Sequence, residues 1–175
     1  MDIFGRNYET TLMLASKHPF EQVHSPAFSH SGHRSPIEAR LGLNGCSLDL
    51  LIAHPAPPAL PFWAEEQRTL IDVLHAHLTD KDRFILMGDF NTTPWSMSYK
   101  NLPGKRVADP RWSRTWHSPI PFLGLPLDHV FIGEGLTPTG FHSGPNVGSD
   151  HMPIFTRLAL DPSCEAGPDQ AGLAL

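Results

Sequence analysis

Prolines set the first limit on this chain. Eighteen of them, with 14 glycines, are spread through 175 residues. Each proline locks φ and removes a backbone donor, so it ends or kinks any helix that contains it. The pattern predicts short strands and many loops rather than a helical bundle. Hydrophobic residues make up 40% and charged residues 18%, which is an ordinary globular balance at a length suited to one domain.

Tyr8 to Ser16 mixes aromatic, β-branched and aliphatic residues and predicts a strand, closed by Lys17-His18-Pro19. Residues 20–35 are rich in His, Ser and Pro and predict an irregular connection with one short strand. Ile37 to Leu43 and Leu48 to Ala53 are apolar-rich runs around Asn44-Gly45. That pair tolerates the positive φ of a tight hairpin turn. His54-Pro55-Ala56-Pro57-Pro58 then forces a loop. Phe62 to Leu78 carries Leu70, Ile71, Val73, Leu74 and Leu78 near helical spacing and predicts the clearest helix. Phe84-Ile85-Leu86-Met87 is a short continuous apolar run, the pattern of a buried strand. Leu125 to Ile132 and Pro153 to Leu160 predict two more strands, and from Asp161 onward Pro, Gly, Ser and Ala predict a disordered tail.

Polar clusters stand at the ends of these strands, where a rigid sheet can aim side chains into one cleft. Gly88-Asp89-Phe90-Asn91 follows a buried strand. Residues two apart leave a strand on one side, so Asp89 and Asn91 are expected together and Phe90 in the packing. The glycine is expected to let the backbone approach whatever fills the cleft. Asp89 suits proton acceptance from water or a hydrated metal, and Asn91 suits donation to an anionic oxygen. The same tetrapeptide also begins turns, with Asp89 or Asn91 capping. Gly148-Ser149-Asp150-His151 offers a hard carboxylate ligand and an imidazole donor, or again a capped turn. Asp128 opens a strand and could orient the imidazole of His151, while its neighbour His129 is expected to pack. His54 closes a strand end within reach of a phosphate.

In order, LLIAHPAPP, FILMGDFNTTPWS, LPLDHVFIG and GSDHMPI resemble successive motifs of the endonuclease/exonuclease/phosphatase superfamily, the DNase I-like proteins. HPAPP, Thr93-Pro94-Trp95-Ser96 and Thr115-Trp116 resemble a bacterial branch of it. The resemblance spans about residues 8 to 160 and implies an α+β fold, the four-layer αββα sandwich. It also implies hydrolysis of a phosphate ester with Mg²⁺ or Mn²⁺. By this resemblance His54 contacts the scissile phosphate, Asp89 orients or deprotonates the attacking water, and Asn91 holds the phosphate. Asp150 binds the metal, His151 stabilises transition-state charge, and Asp128 pairs with His151.

Family domains begin with strands bearing a metal-proximal Asn and then a Glu that is the principal metal ligand. Neither motif is found, and Glu9 sits in a segment that resembles a later strand. Residues 1–160 are therefore expected to be the C-terminal portion of the domain, a partial sandwich with impaired activity. An inactive phosphate-binding module or a gene fragment is the alternative. The formal charge of −5 provides no global basic field, so the substrate is a phosphate ester of open class, with nucleic acid one option. No stretch is apolar enough to span a membrane, Met1 opens no signal peptide, and no protein partner is indicated. Cys46 and Cys164 fit no zinc spacing; a disulfide between them is open to the chain, but their distance in sequence and dissimilar surroundings make it the less expected state.

Overall fold

The computed structural model describes residues 2–4, 12–26, 35–43, 45–108, 114–117 and 123–161. In chain order the elements are β1 (Asp2–Phe4), β2 (Leu14–Ser16), β3 (Phe20–His24), β4 (Ile37–Leu43), β5 (Cys46–Ile52) and α1 (Pro61–Leu78). There follow β6 (Phe84–Asp89), a single 3-10 turn at Ser98–Asn101, and β7 (Lys105–Val107). The remaining strands are β8 (Trp116–His117), β9 (Gly124–Leu125), β10 (Asp128–Ile132), β11 (Leu136–Ser143) and β12 (Ile154–Leu160).

Six strands form one sheet in the order β3-β4-β5-β6-β10-β7. Strands β4 and β5 make the expected hairpin, with Leu43 opposite Cys46. Gly45 holds φ 80°, and Asn44 lies outside the described residues. After β5 the chain crosses through α1 and returns as β6, which is why β5 and β6 run parallel. Helix α1 begins with Pro61 in its first turn, where the missing N–H costs nothing. It buries Gln67, Leu70, Ile71, Leu74 and Leu78, one stripe of the helix.

Both faces of the central strands are covered. On one face Leu51, Leu86 and Phe131 pack with α1. On the other, Leu48, Leu50, Val130 and Ile132 pack with the antiparallel ribbon of β11 and β12 through Phe141, Ile154 and Leu158. This helix–sheet–sheet layering makes the chain an α+β sandwich, as expected. Among the described residues no helix is long and apolar enough to cross a membrane.

Several elements depart from expectation. Of the strand expected at Tyr8–Ser16, Leu14–Ser16 is formed, and residues 5–11 lie outside the described residues. Strand β11 was not legible: its LTPTGFHS sequence offers few apolar positions and is interrupted by a bulge between Pro138 and Gly140. Cys46 is disulfide-bonded, contrary to the sequence reading, since separation along the chain says nothing of distance in space. Cys164, the only other cysteine, and the expected tail from residue 162 onward lie outside the described residues.

A charge network joins α1 to the sheet. Glu38, 3% exposed on β4, accepts from Lys81 Nζ at 2.8 Å and faces His77 Nε2 at 2.8 Å and His24 Nε2 at 3.1 Å. Directly across the hairpin, Arg40 grips Asp49 with two hydrogen bonds of 2.8 and 3.3 Å, and Lys81 adds a third at 3.0 Å. Burial alone would raise the Glu38 carboxyl, but hydrogen bonds from Lys81 and His77 hold it below its ordinary value. The stability linked to this shift is present above the ordinary carboxylate range and lost as pH falls through the lowered value. Removing the hub takes one of two carboxylates from Lys81, which keeps Asp49, and removes the carboxylate that His77 faces at 2.8 Å. Glu38→Ala is expected to destabilise the protein by about 2 kcal/mol, read as a lower urea midpoint with unchanged slope. An unchanged midpoint would show that the network contributes nothing.

Candidate active site

Strands β5, β6 and β10 deliver the polar clusters to one edge of the sheet. β10 runs antiparallel to β6 with Asp128 in register with Asp89, so one strand ends where the other begins. The end of β5 is tied to β6 by Ala53 N–H donating to the Met87 carbonyl at 3.1 Å. Gly88 stands at φ 150°, and a Cβ there would lie 1.9 Å from the Ala53 carbonyl oxygen. The expectation that this glycine admits a ligand is therefore corrected: it admits the neighbouring strand. That approach sets His54 beside Asp89, with Nε2 3.4 Å from Asp89 Oδ2.

Asp89 serves two roles at once. Its Oδ1 accepts the Asn91 N–H at 2.9 Å, the turn-capping geometry, while Oδ2 faces His54 and, at 3.7 Å, His151 Nε2. Asn91 does not continue the strand. It adopts φ 48°, a conformation asparagine tolerates better than most residues, and its amide donates to the Pro55 carbonyl at 3.0 Å. Phe90 is fully buried in the packing, as expected.

His151 is held from behind. Its Nδ1 contacts Asp128 Oδ2 at 2.7 Å, which leaves Nε2 aimed at Asp89. Strand β8 clamps the surrounding loop: His117 N–H donates to the Asp150 carbonyl at 2.8 Å and Met152 N–H to the Thr115 carbonyl at 2.7 Å. Buried Thr115 also accepts the N–H groups of Leu127 and Asp128 through Oγ1, both at 3.0 Å. One threonine thus positions both members of the Asp128–His151 pair. On the other side Gln67, 3% exposed, donates to the carbonyls of Ala56, Phe90 and Asn91 and so ties the His54 loop to the Asp89 loop.

Neither Gln67 nor the role of Thr115 was read from the sequence. A polar residue in register with the apolar stripe of α1 was the available signal for Gln67. The structure brings His54, Asp89, Asp128 and His151 together, with Asn91 at their margin. Asp150 is exposed, with its carboxylate outside the group in which Asp89, Asp128 and His151 place ligand-type atoms within 4.8 Å of one another. His129 is buried against Tyr99, with Nε2 2.9 Å from the Thr92 carbonyl, and burial pushes its pKa down to about 4.

The profile of the Endonuclease/Exonuclease/phosphatase family matches residues 3–151. The chain belongs to this family. Its members are hydrolytic nucleases and phosphatases. Among solved structures, a humanized TDP2 from D. rerio is similar at 17% identity and TM-score 0.68, over 84% of this chain and 70% of that one. A 3′ phosphatase, NExo, from Neisseria bound to a product DNA hairpin is similar at 17% identity and TM-score 0.69, over 90% and 79%. An endonuclease/exonuclease/phosphatase protein from Beutenbergia cavernae is similar at 20% identity and TM-score 0.61, over 83% and 46%. At these identities the likeness is one of fold. No curated protein matches.

In this member of the family the charges are set by the contacts above. Burial would raise the Asp89 carboxyl, but hydrogen bonds from His54 and the Asn91 N–H, with the charges of His54 and His151, hold it below its ordinary value. Burial would lower the His151 imidazole, but the hydrogen bond and charge of Asp128, with Asp89 and Asp150, raise it above its ordinary value. The stability linked to His151 is accordingly full below the ordinary histidine value and lost as pH rises through the raised one. Asp128→Asn is expected to move the His151 ring titration, followed by NMR, to lower pH. A midpoint that stays in place would show that Asp128 does not hold the proton. Gly88→Ala is expected to destabilise the protein by about 2 kcal/mol or more and to separate His54 from Asp89. Retention of both stability and the His54–Asp89 contact would refute that role.

Proposed function

We propose that this chain hydrolyses a phosphate ester by in-line attack of water. The observation that best supports it is one carboxylate oxygen, Asp89 Oδ2, facing two imidazole Nε2 atoms, at 3.4 Å from His54 and 3.7 Å from His151. A depressed Asp89 stays ionised at neutral pH and accepts a hydrogen bond from water, orienting or deprotonating it. His151, whose protonated form the Asp128 carboxylate favours, donates to a phosphoryl oxygen and stabilises charge as it develops. His54 contacts the same phosphate, and Asn91 has one amide proton left to offer it after its bond to Pro55.

A divalent cation, Mg²⁺ or Mn²⁺, would supply further charge neutralisation at the phosphate. Asp150, exposed and next in sequence to His151, would hold it together with water and phosphate oxygens, a donor set that suits Mg²⁺. Among the described residues the cluster contains no glutamate. A cation held by the Asp150 carboxylate alone depends on water and phosphate for its remaining bonds, so weak metal affinity and impaired turnover are expected. The same shortage favours a second reading, a module that binds a phosphate ligand without hydrolysing it.

The two readings separate on bis(para-nitrophenyl) phosphate with Mg²⁺ or Mn²⁺. Turnover is expected, with Asp89→Ala and His151→Ala each lowering it by about 10²–10⁴-fold. Asp150→Ala is expected to raise the metal concentration required. Activity that survives Asp89→Ala would sink the hydrolytic mechanism. Calorimetric binding of phosphate without turnover would support the second reading.

A further inference from the structure

A cleft of about 540 Å³ opens directly beside the cluster and has His151 and Asn91 in its wall. Its other walls are largely apolar, built from Pro58, Ala64, Trp116, Leu125 and Leu127. Several polar groups along it are already engaged. The Gln67 amide is committed to three backbone carbonyls, the Asn91 amide donates to Pro55, and the Thr92 hydroxyl is bonded to that of Ser96. Away from His151, Asn91 and the Thr93 and Ser98 hydroxyls, a ligand entering this cleft meets mainly hydrocarbon.

Leu125 lines the cleft and is itself 40% exposed, so part of the apolar wall faces solvent. Cationic character is scarce. Among the described residues lining the cleft, Arg68 is the one lysine or arginine, and it is paired with Glu65. A groove for a nucleic-acid strand would need cations along the path of the backbone phosphates, and the chain's net charge of −5 does not compensate.

We propose that the cleft is the subsite for a hydrocarbon ester group, so that the substrate is an amphiphilic, phospholipid-like phosphodiester. The scissile phosphate sits at the cluster, and the alkyl portion lies along Leu125, Leu127 and Trp116. This inference rests on the phosphate-ester reading of the cluster and names its substrate class.

Two measurements test it independently of that reading. The first is calorimetric binding of octylphosphonate and methylphosphonate, neither of which is hydrolysed, below the micellar concentration of the octyl compound. The octyl ligand is expected to bind at least about tenfold more tightly, and Leu125→Asp to remove most of that difference. The second is the rate on para-nitrophenyl octyl phosphate relative to the methyl ester, for which kcat/KM is expected to rise by about tenfold or more. Equal affinities for the two phosphonates would overturn the subsite, whatever the rates. Tighter binding of a short single-stranded oligonucleotide than of octylphosphonate would overturn it in favour of nucleic acid. An octyl preference in binding without any turnover would support the subsite while refuting hydrolysis. Turnover with no dependence on chain length would do the reverse. If Leu125→Asp fails to fold, both comparisons stand on the wild-type protein.

Discussion

Position 88 has no room for a side chain, and much of the site follows from that. A Cβ on Gly88 would meet the Ala53 carbonyl at 1.9 Å. With only hydrogen there, the end of β5 closes onto β6, and the residue after Ala53 arrives beside the residue after Gly88. Those two residues are His54 and Asp89. The contact that brings an imidazole to a carboxylate is thus a backbone packing event one residue away from each.

The second half of the cluster depends on a different device. Asp128 enters it because β10 pairs with β6 in a register that sets Asp128 against Asp89. His151 comes from a loop with no sheet of its own, and loops position side chains less precisely than strands do. Here the loop is braced by β8 and by Thr115, whose hydroxyl accepts from the strand carrying Asp128 and whose carbonyl accepts from the residue after His151. The Asp128 carboxylate then fixes the imidazole by its Nδ1. Electrostatics follow from this bracing: Asp128 favours the charged form of the His151 imidazole, Asp89 keeps its carboxylate ionised, and the two stand 3.7 Å apart.

The wider frame serves the same end. The Glu38 network anchors the C-terminal end of α1 to β4 and β5, far along the helix from Gln67. Gln67 in turn holds the two loops that bear His54 and Asp89. A helix held by charge near one end and by the Gln67 amide nearer the other keeps this wall of the apolar cleft in place beside the cluster.

Much of this was legible in the chain itself. The apolar stripe of α1, the Asn-Gly hairpin and the short buried run of β6 follow from period and turn chemistry, which are local properties. The family motifs were equally readable, because each pairs a strand end with a polar group. Strand β11 was hidden, since a half-exposed ribbon with a bulge needs no regular apolar alternation. Gln67 looked like one more polar helix residue, and the reach of its amide to three carbonyls depends on loops some 11 and 24 residues away. The sequence alone determined which chemical groups this protein possesses and which strand ends carry them. Only the tertiary structure decided that Gly88 faces a neighbouring strand, that Asp150 stays outside the cluster, and that an apolar cleft adjoins the cluster. Those outcomes are set by distances between segments remote in sequence, and no local pattern encodes them.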